Sequence, residues 1–293
     1  MQFSVAELPL ALFTTLAPLG AGAFLALACA FFTTSFSDEQ LKKIDRGTII
    51  PLAIVIVGFI CAFFHLASPM NAPSVFLGAG SPMSNEIIAG CVFAIVTIVY
   101  VIVANTGKLC GSARKGFAAV VAVLAVIFAI FTGLAYVMSI IATWDTPLVP
   151  VQMLGFALVG GAATAALVLA SAGAWADACK GSFKSAIIGL AVVGAVLAIV
   201  GLAGQLAMAS GMENALVSGS ELVSGSELVS GALLPAVIGL ALIVVAAAFV
   251  FVSVKKEAAT GLAAMAVIAA LVGIFLARMA FYAIQMSVGI YFG

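Results

Sequence analysis

Charge is what this sequence has least of. Only 8% of its 293 residues are charged, where a soluble domain carries about 25%. Its eleven basic and eleven acidic side chains cancel. So few cations form no basic patch, which excludes nucleic acid as a partner. Histidine occurs once, as His65, and tryptophan twice. The five cysteines, Cys29, Cys61, Cys91, Cys110 and Cys179, show no CxxC spacing and have no companion histidines. Neither an iron–sulfur cluster nor a structural zinc is therefore expected in the protein, and no other metal. One histidine also cannot supply the axial pair that a b-type haem normally takes between transmembrane helices, so the protein is expected to be haem-free. What the sequence has instead is apolar surface: 65% of residues are hydrophobic and the mean hydropathy is +1.35. No water-soluble fold has enough core to hide this much, so the solvent is lipid.

Apolar runs long enough to cross about 30 Å of hydrocarbon at about 1.5 Å per residue recur eight times. Their approximate spans are 9–32, 48–67, 86–105, 117–142, 150–172, 184–208, 231–254 and 260–287. Backbone groups in lipid must be satisfied internally and the strands of a barrel are missing, so an all-α, polytopic transmembrane bundle of eight helices in one membrane domain is expected. The first run is read as a mature span. Ala28-Cys29-Ala30 resembles a cleavage site, but no Lys or Arg precedes it and the run exceeds a signal core. Pro9, Pro51, Pro150 and Pro235 fall near helix starts, where a missing N–H costs little. Pro18 alone sits mid-span, where a kink is expected.

Orientation follows from the cations. Lys42, Lys43 and Arg46, then Lys108, Arg114 and Lys115, then Lys180 and Lys184, then Lys255 and Lys256 all fall between spans or at their ends on one side. The opposite loops and both termini contain no Lys or Arg. Both termini are thus expected on the outer side of a bacterial cytoplasmic (inner) membrane. Two outer connections are long. Residues 67–85 are rich in Pro, Gly and Ser, and 210–230 carries Leu-Val-Ser-Gly-Ser-Glu at 216–221 and again at 222–227. A period of six fits neither helix nor heptad, so this second stretch reads as a polar spacer or a partner-covering loop.

In hydrocarbon a polar side chain is costly, so its depth is informative. His65 lies near the outer end of the second span. Glu86 opens the third at the same surface, after Ser84 and Asn85, either of which could cap it. Arg278 lies about two turns below the outer end of the last span, with Tyr282 and Gln285 on its face at i+4 and i+7. Gln152 and Gln205 sit near the outer ends of the fifth and sixth spans. Each has a plain account: a histidine can donate to a carbonyl, and a glutamate at a helix start can complement the dipole. Arg278 is too deep to snorkel easily and calls for an interior partner, Glu86 or a ligand. At the inner side every cation is read as lying in a loop, so the inner half offers no comparable set. Together these groups suggest a pocket open to the outer half of the membrane.

The stretch Phe64-His65-Leu66-Ala67-Ser68-Pro69-Met70, followed by Met83-Ser84-Asn85-Glu86-Ile87, resembles the second-to-third-span region of the membrane-anchor subunit family of dimethyl sulfoxide reductase. Ala277-Arg278-Met279-Ala280-Phe281-Tyr282 with Met286-Ser287-Val288-Gly289 is similar to that family's last helix, and Leu8-Pro9-Leu10-Ala11-Leu12-Phe13-Thr14 to its first. The likeness is broken at Ile274, one turn before the arginine, and at Gln285. What it implies is a haem-free anchor that oxidises menaquinol in anaerobic respiration. Such an anchor holds an iron–sulfur electron-transfer subunit and a molybdopterin catalytic subunit on the outer face. Menaquinol would be its bound substrate. By the same likeness His65, Ser68, Asn85, Glu86, Arg278 and Tyr282 would form the quinol-binding set, with His65 and Glu86 as the catalytic pair.

Chemistry agrees with that implication. Oxidising a quinol releases two electrons and two protons, and a neutral imidazole with an unperturbed pKa of about 6.5 suits the accepting role. His65 would accept a hydroxyl proton, Glu86 would relay it outward, and Arg278 would stabilise anionic charge or hold Glu86 ionised. Tyr282 would pack or bond the head group. With no titratable inner half, protons and electrons would leave on one side and the step would be electroneutral. Two other classes compete. A transporter would carry charges near the midplane and broken helices in paired repeats, whereas a purely structural anchor would hold no quinone.

Overall fold

The structure, a computed structural model, describes residues 7–65, 80–213, 224–256 and 259–286, with His65 described for its backbone only. Ten helices follow one another: α1 (Leu8–Thr33), α2 (Asp38–Gly47), α3 (Ile49–His65), α4 (Pro82–Asn105), α5 (Gly111–Leu134), α6 (Leu148–Ser171), α7 (Trp175–Lys180), α8 (Phe183–Ser210), α9 (Gly225–Ser253) and α10 (Thr260–Ala283). Eight helical stretches are long and apolar enough to cross a membrane, all except α7 and with α2 and α3 running on as one. No strand occurs among the described residues.

Side-chain size decides which helices lie inside. α1 carries Gly20-Ala21-Gly22-Ala23 and α6 Gly160-Gly161-Ala162-Ala163 near mid-length, and both helices are buried for most of their length. In lipid the hydrophobic effect does not bring helices together, so packing depends on small residues that let backbones approach. A Cβ on Gly161 would lie 2.2 Å from the backbone of Gly22, and one on Gly22 would lie 1.8 Å from the Ala157 carbonyl oxygen. α1 and α6 therefore cross backbone to backbone. Around this pair, α3 and α5 pack on α1, α8 packs on α6, and α9 and α10 pack closely on each other. The outer faces of α3, α4, α8 and α9 carry the bulky Ile, Val, Leu and Phe side chains that lipid solvates.

The end that carries the basic loops is closed by two short helices that the eight apolar runs do not reveal. Ser37 caps α2 in a reciprocal box with Gln40, and the Gln40 amide donates to Asp177 of α7 at 2.7 Å. Trp175 of α7 donates to the Ser253 carbonyl at 2.9 Å. Gly107 and Gly173, with φ of 71° and 69°, supply the left-handed turn that ends α4 and α6.

Several boundaries differ from the sequence expectation. α4 begins at Pro82 behind Ser81, whose hydroxyl accepts from the Ser84 amide, so Ser84 and Asn85 lie inside the first turn rather than capping it. α5 ends at Leu134, not near 142. The apolar residues 135–147 are not a further helical turn but a compact segment that buries Tyr136, Ile141 and Trp144 against α10. α9 starts at Gly225, within the second copy of the six-residue repeat, so part of the expected spacer is helix and Pro235 lies inside it. α10 ends at Ala283, which puts Gln285 past the helix and off the face of Arg278. The remainder of the repeat and residues 66–79 lie outside the described residues.

Candidate functional site

α10 brings Arg278 into the bundle toward α1. Its guanidinium is fully buried. Nε donates to Thr14 Oγ1 at 2.9 Å and Nη2 to the Tyr282 hydroxyl at 3.0 Å. The cation lies 3.9 Å from the Phe281 ring centroid, 4.8 Å from that of Tyr282 and 4.9 Å from that of Tyr136. Three rings and two hydroxyls thus take the place of water around a delocalised cation, which suits arginine and not lysine. The Tyr282 and Tyr136 hydroxyls lie 2.7 Å apart. Trp144 stacks on Phe281, centroids 4.8 Å apart and planes at 14°, and donates to the Phe281 carbonyl. Segment 135–147 is therefore the wall that encloses the arginine.

Glu86 of α4 comes into the same neighbourhood from the other side. Its carboxyl lies beside Thr132 of α5 and within electrostatic reach of Arg278, and Tyr136 is within reach of both charges. The expected ion pair between Glu86 and Arg278 is not formed: the three salt bridges among the described residues are all elsewhere. Instead Glu86 Oε1 and Arg278 Nη1 are both buried without a hydrogen-bond partner. A buried acceptor and a buried donor left open in one site are costly unless something bonds them. The arrangement can take a ligand that offers a hydroxyl to the carboxylate and an oxygen to the guanidinium.

Of the residues singled out by sequence, Glu86, Arg278 and Tyr282 are brought together. Asn85 is half-buried next to Glu86, but among the described residues no hydrogen bond ties its amide to the cluster. His65 ends α3, its side chain outside the described residues, as is Ser68. Gln152 and Gln205 form a separate pair: Gln152 donates to Gln205 at 2.8 Å, and Gln205 to the Thr143 carbonyl at 2.9 Å, which pins segment 135–147 to α6 and α8. Thr14, Thr132 and Tyr136 join the site without being singled out by sequence. A signal for Tyr136 exists, since it is one of only four tyrosines. The inner half also differs from expectation. Arg114 is not in a loop but buried in the first turn of α5, ion-paired with buried Asp45 of α2. Counting cations along the sequence does not show that α2, which runs on into α3, brings Asp45 to Arg114.

These features define a polytopic membrane protein with an ionisable, ligand-ready cluster at the end opposite its basic loops. The chain matches the family described as DMSO reductase anchor subunit (DmsC) over residues 1–284, and it belongs to that family. It is 32% identical over 153 residues to the C subunit of the anaerobic dimethyl sulfoxide reductase of Haemophilus influenzae, an alignment covering 50% of this protein and 53% of that one. It is 30% identical over 167 residues to the anaerobic dimethyl sulfoxide reductase subunit YnfH of Escherichia coli, covering 57% and 58%. To the C subunit of the Escherichia coli anaerobic dimethyl sulfoxide reductase it is 30% identical over 169 residues, covering 57% and 59%. The protein thus spans somewhat over half the length of the curated relatives it matches.

Proposed function

We propose that this anchor subunit oxidises menaquinol in the bacterial cytoplasmic membrane and passes the electrons to an iron–sulfur subunit docked at the outer face. That subunit in turn would serve a molybdopterin subunit where the terminal acceptor is reduced in anaerobic respiration. The anchor itself would carry no haem, cluster or metal. The observation that carries this reading is the open pair, Glu86 Oε1 and Arg278 Nη1, both buried without a hydrogen-bond partner. A quinol head, with a hydroxyl at each end, fits a site with one open acceptor and one open donor.

In this reading the Glu86 carboxylate accepts a proton from a quinol hydroxyl, directly or through His65 at the end of α3. Arg278, fixed by Thr14 and Tyr282, bonds the second oxygen as negative charge develops on it. Tyr136 and Tyr282, whose hydroxyls meet beside the guanidinium, border the head group. Glu86 passes the first proton outward before it accepts the second, so both protons leave toward the outer side, as the electrons do. A column of buried rings supports that direction: Phe93 stacks on Phe128 at 5.5 Å, and Phe24 follows at 6.5 Å from Phe93. These rings stand between the Glu86 cluster and the Asp45–Arg114 pair, with the hydroxyls of Thr97 and Tyr100 beside them and, among the described residues, no carboxylate or imidazole between.

Menaquinol oxidation by the assembled complex tests the reading. Glu86→Gln removes the proton acceptor while keeping shape and is expected to lower turnover by about 10²-fold or more, the usual range for a lost acid–base group. Turnover equal to wild type in a correctly assembled Glu86→Gln complex would overturn it.

A further inference from the structure

Gln152 of α6 and Gln205 of α8 are both fully buried, and their amides meet where the two helices touch. Gly201, one turn before Gln205, permits the approach: a Cβ there would lie 2.7 Å from the Gln152 backbone nitrogen. A carbonyl can only accept, so Gln205 turns its amide nitrogen to the Thr143 carbonyl and its amide oxygen to Gln152. Gln152 thereby fixes which way the Gln205 amide faces. As a stability device the pair is poor. Gln152 Oε1 is left buried without a hydrogen-bond partner, a cost that offsets most of what the two bonds contribute. What the pair does achieve is felt in the wall of the candidate site. Next to Thr143, the Trp144 ring lies 5.5 Å from that of Tyr136 and 4.8 Å from that of Phe281. Trp144 also donates to the Phe281 carbonyl, the Ala142 amide donates to the Met286 carbonyl, and the Met286 amide donates to the Thr143 hydroxyl. Segment 135–147 and the end of α10 therefore hold each other, and Gln205 ties that unit to α8.

We propose that Gln205 is a positioning residue of the quinol site: its bond to the Thr143 carbonyl sets Trp144, and through Trp144 the Tyr136 hydroxyl that borders the head group. The inference rests on the quinol reading above and adds a residue that touches neither the substrate nor Arg278. Gln152 serves it in turn by orienting the Gln205 amide. Tyr136 borders the head group before and during oxidation alike, so displacing it weakens binding. The chemical step, which belongs to Glu86 and Arg278, is left as it was.

A double-mutant cycle on the assembled complex, read as menaquinol KM and kcat, tests this. Gln205→Met keeps the volume and removes both bonds. It is expected to raise KM about fivefold, the size of one lost hydrogen bond, with kcat within about twofold of wild type. Beside Tyr136→Phe the same change is expected to raise KM by less than about twofold, because the hydroxyl it positions is already gone. A loss of packing alone would lower stability equally in both backgrounds and show no such coupling. An unchanged KM in Gln205→Met, or an equal rise in both backgrounds, would overturn the proposal. Should Gln205→Met fail to assemble, Gln152→Met replaces it in the cycle. That change keeps the bond to Thr143 but frees its donor to rotate, and it is expected to raise KM about twofold, an effect absent beside Tyr136→Phe. Unchanged KM in Gln152→Met would then overturn the proposal. Glu86→Gln run in parallel separates the two claims. Turnover lost in Glu86→Gln with KM unmoved in the glutamine variant leaves the quinol reading standing and sinks only the role of Gln205. Turnover kept in Glu86→Gln sinks both.

Discussion

Arg278 is held without a carboxylate. A lone buried cation is costly, and here the cost is offset by two hydroxyl acceptors and three ring faces, with one donor position left open. Lysine has neither the planar fork nor the stacking, so Arg278→Lys is expected to lower quinol turnover at least about tenfold in a complex that still assembles. Turnover and subunit stoichiometry measured on the same preparation check this. Tyr136→Phe deletes one hydroxyl from the Tyr282 contact. It is expected to raise the quinol KM about fivefold, the equivalent of about 1 kcal/mol for one hydrogen bond. At this scale the ionisable members are legible in the sequence because charge in a span is rare. The hydroxyl members are not. Thr14 also donates to its own Leu10 carbonyl at 2.9 Å, as threonines in membrane helices commonly do, and so carries no depth signal.

Eight apolar runs mark the spanning helices, but two elements that shape the ends are hidden in polar or ambiguous stretches. α2 is amphipathic and short, and its role shows only in its contacts: Asp45 reaches Arg114, and the Asp45 carbonyl accepts from Asn105 at 3.1 Å. Asp45→Asn leaves a buried guanidinium unpaired and is expected to destabilise the protein by about 3 kcal/mol. Thermal unfolding of the purified complex would show it, with stability largely recovered in Asp45→Asn/Arg114→Met. The first part of segment 135–147 reads as helix because its residues are apolar. Apolarity alone does not distinguish contact with lipid from contact with α10, and Gly133 favours leaving the helix here. A Cβ at Gly133 would meet the Pro150 backbone at 2.3 Å, so α5 and α6 touch where the turn begins. The α1–α6 crossing tolerates side chains no better. Gly161→Val is expected to abolish stable insertion of the protein, measurable as its loss from washed membranes, because the clash is with backbone that has nowhere to move.

At the scale of the molecule the basic loops and the Glu86–Arg278 cluster lie at opposite ends. In the orientation that the positive-inside rule predicts, the basic loops face the cytoplasm, and Glu86, Arg278 and segment 135–147 lie toward the outer side. Cys110 reports on this directly. It is exposed at the start of α5, and the Ala113 backbone amide, aided by Ser112, holds its thiol below the ordinary value. Burial pushes the Cys179 thiol up to about 11. Since the thiolate is the reactive form, Cys110 is expected to outpace Cys179 at neutral pH. A membrane-impermeant maleimide should label it in inside-out vesicles and not in intact cells; labelling from the outside would invert the topology.

The most direct test of the account is photo-crosslinking of the assembled complex with a light-activated naphthoquinone. The account predicts adducts on the peptides that contain Glu86 and Arg278, lost when menaquinol is added in excess. Adducts confined to other helices, or undiminished by menaquinol, would contradict it.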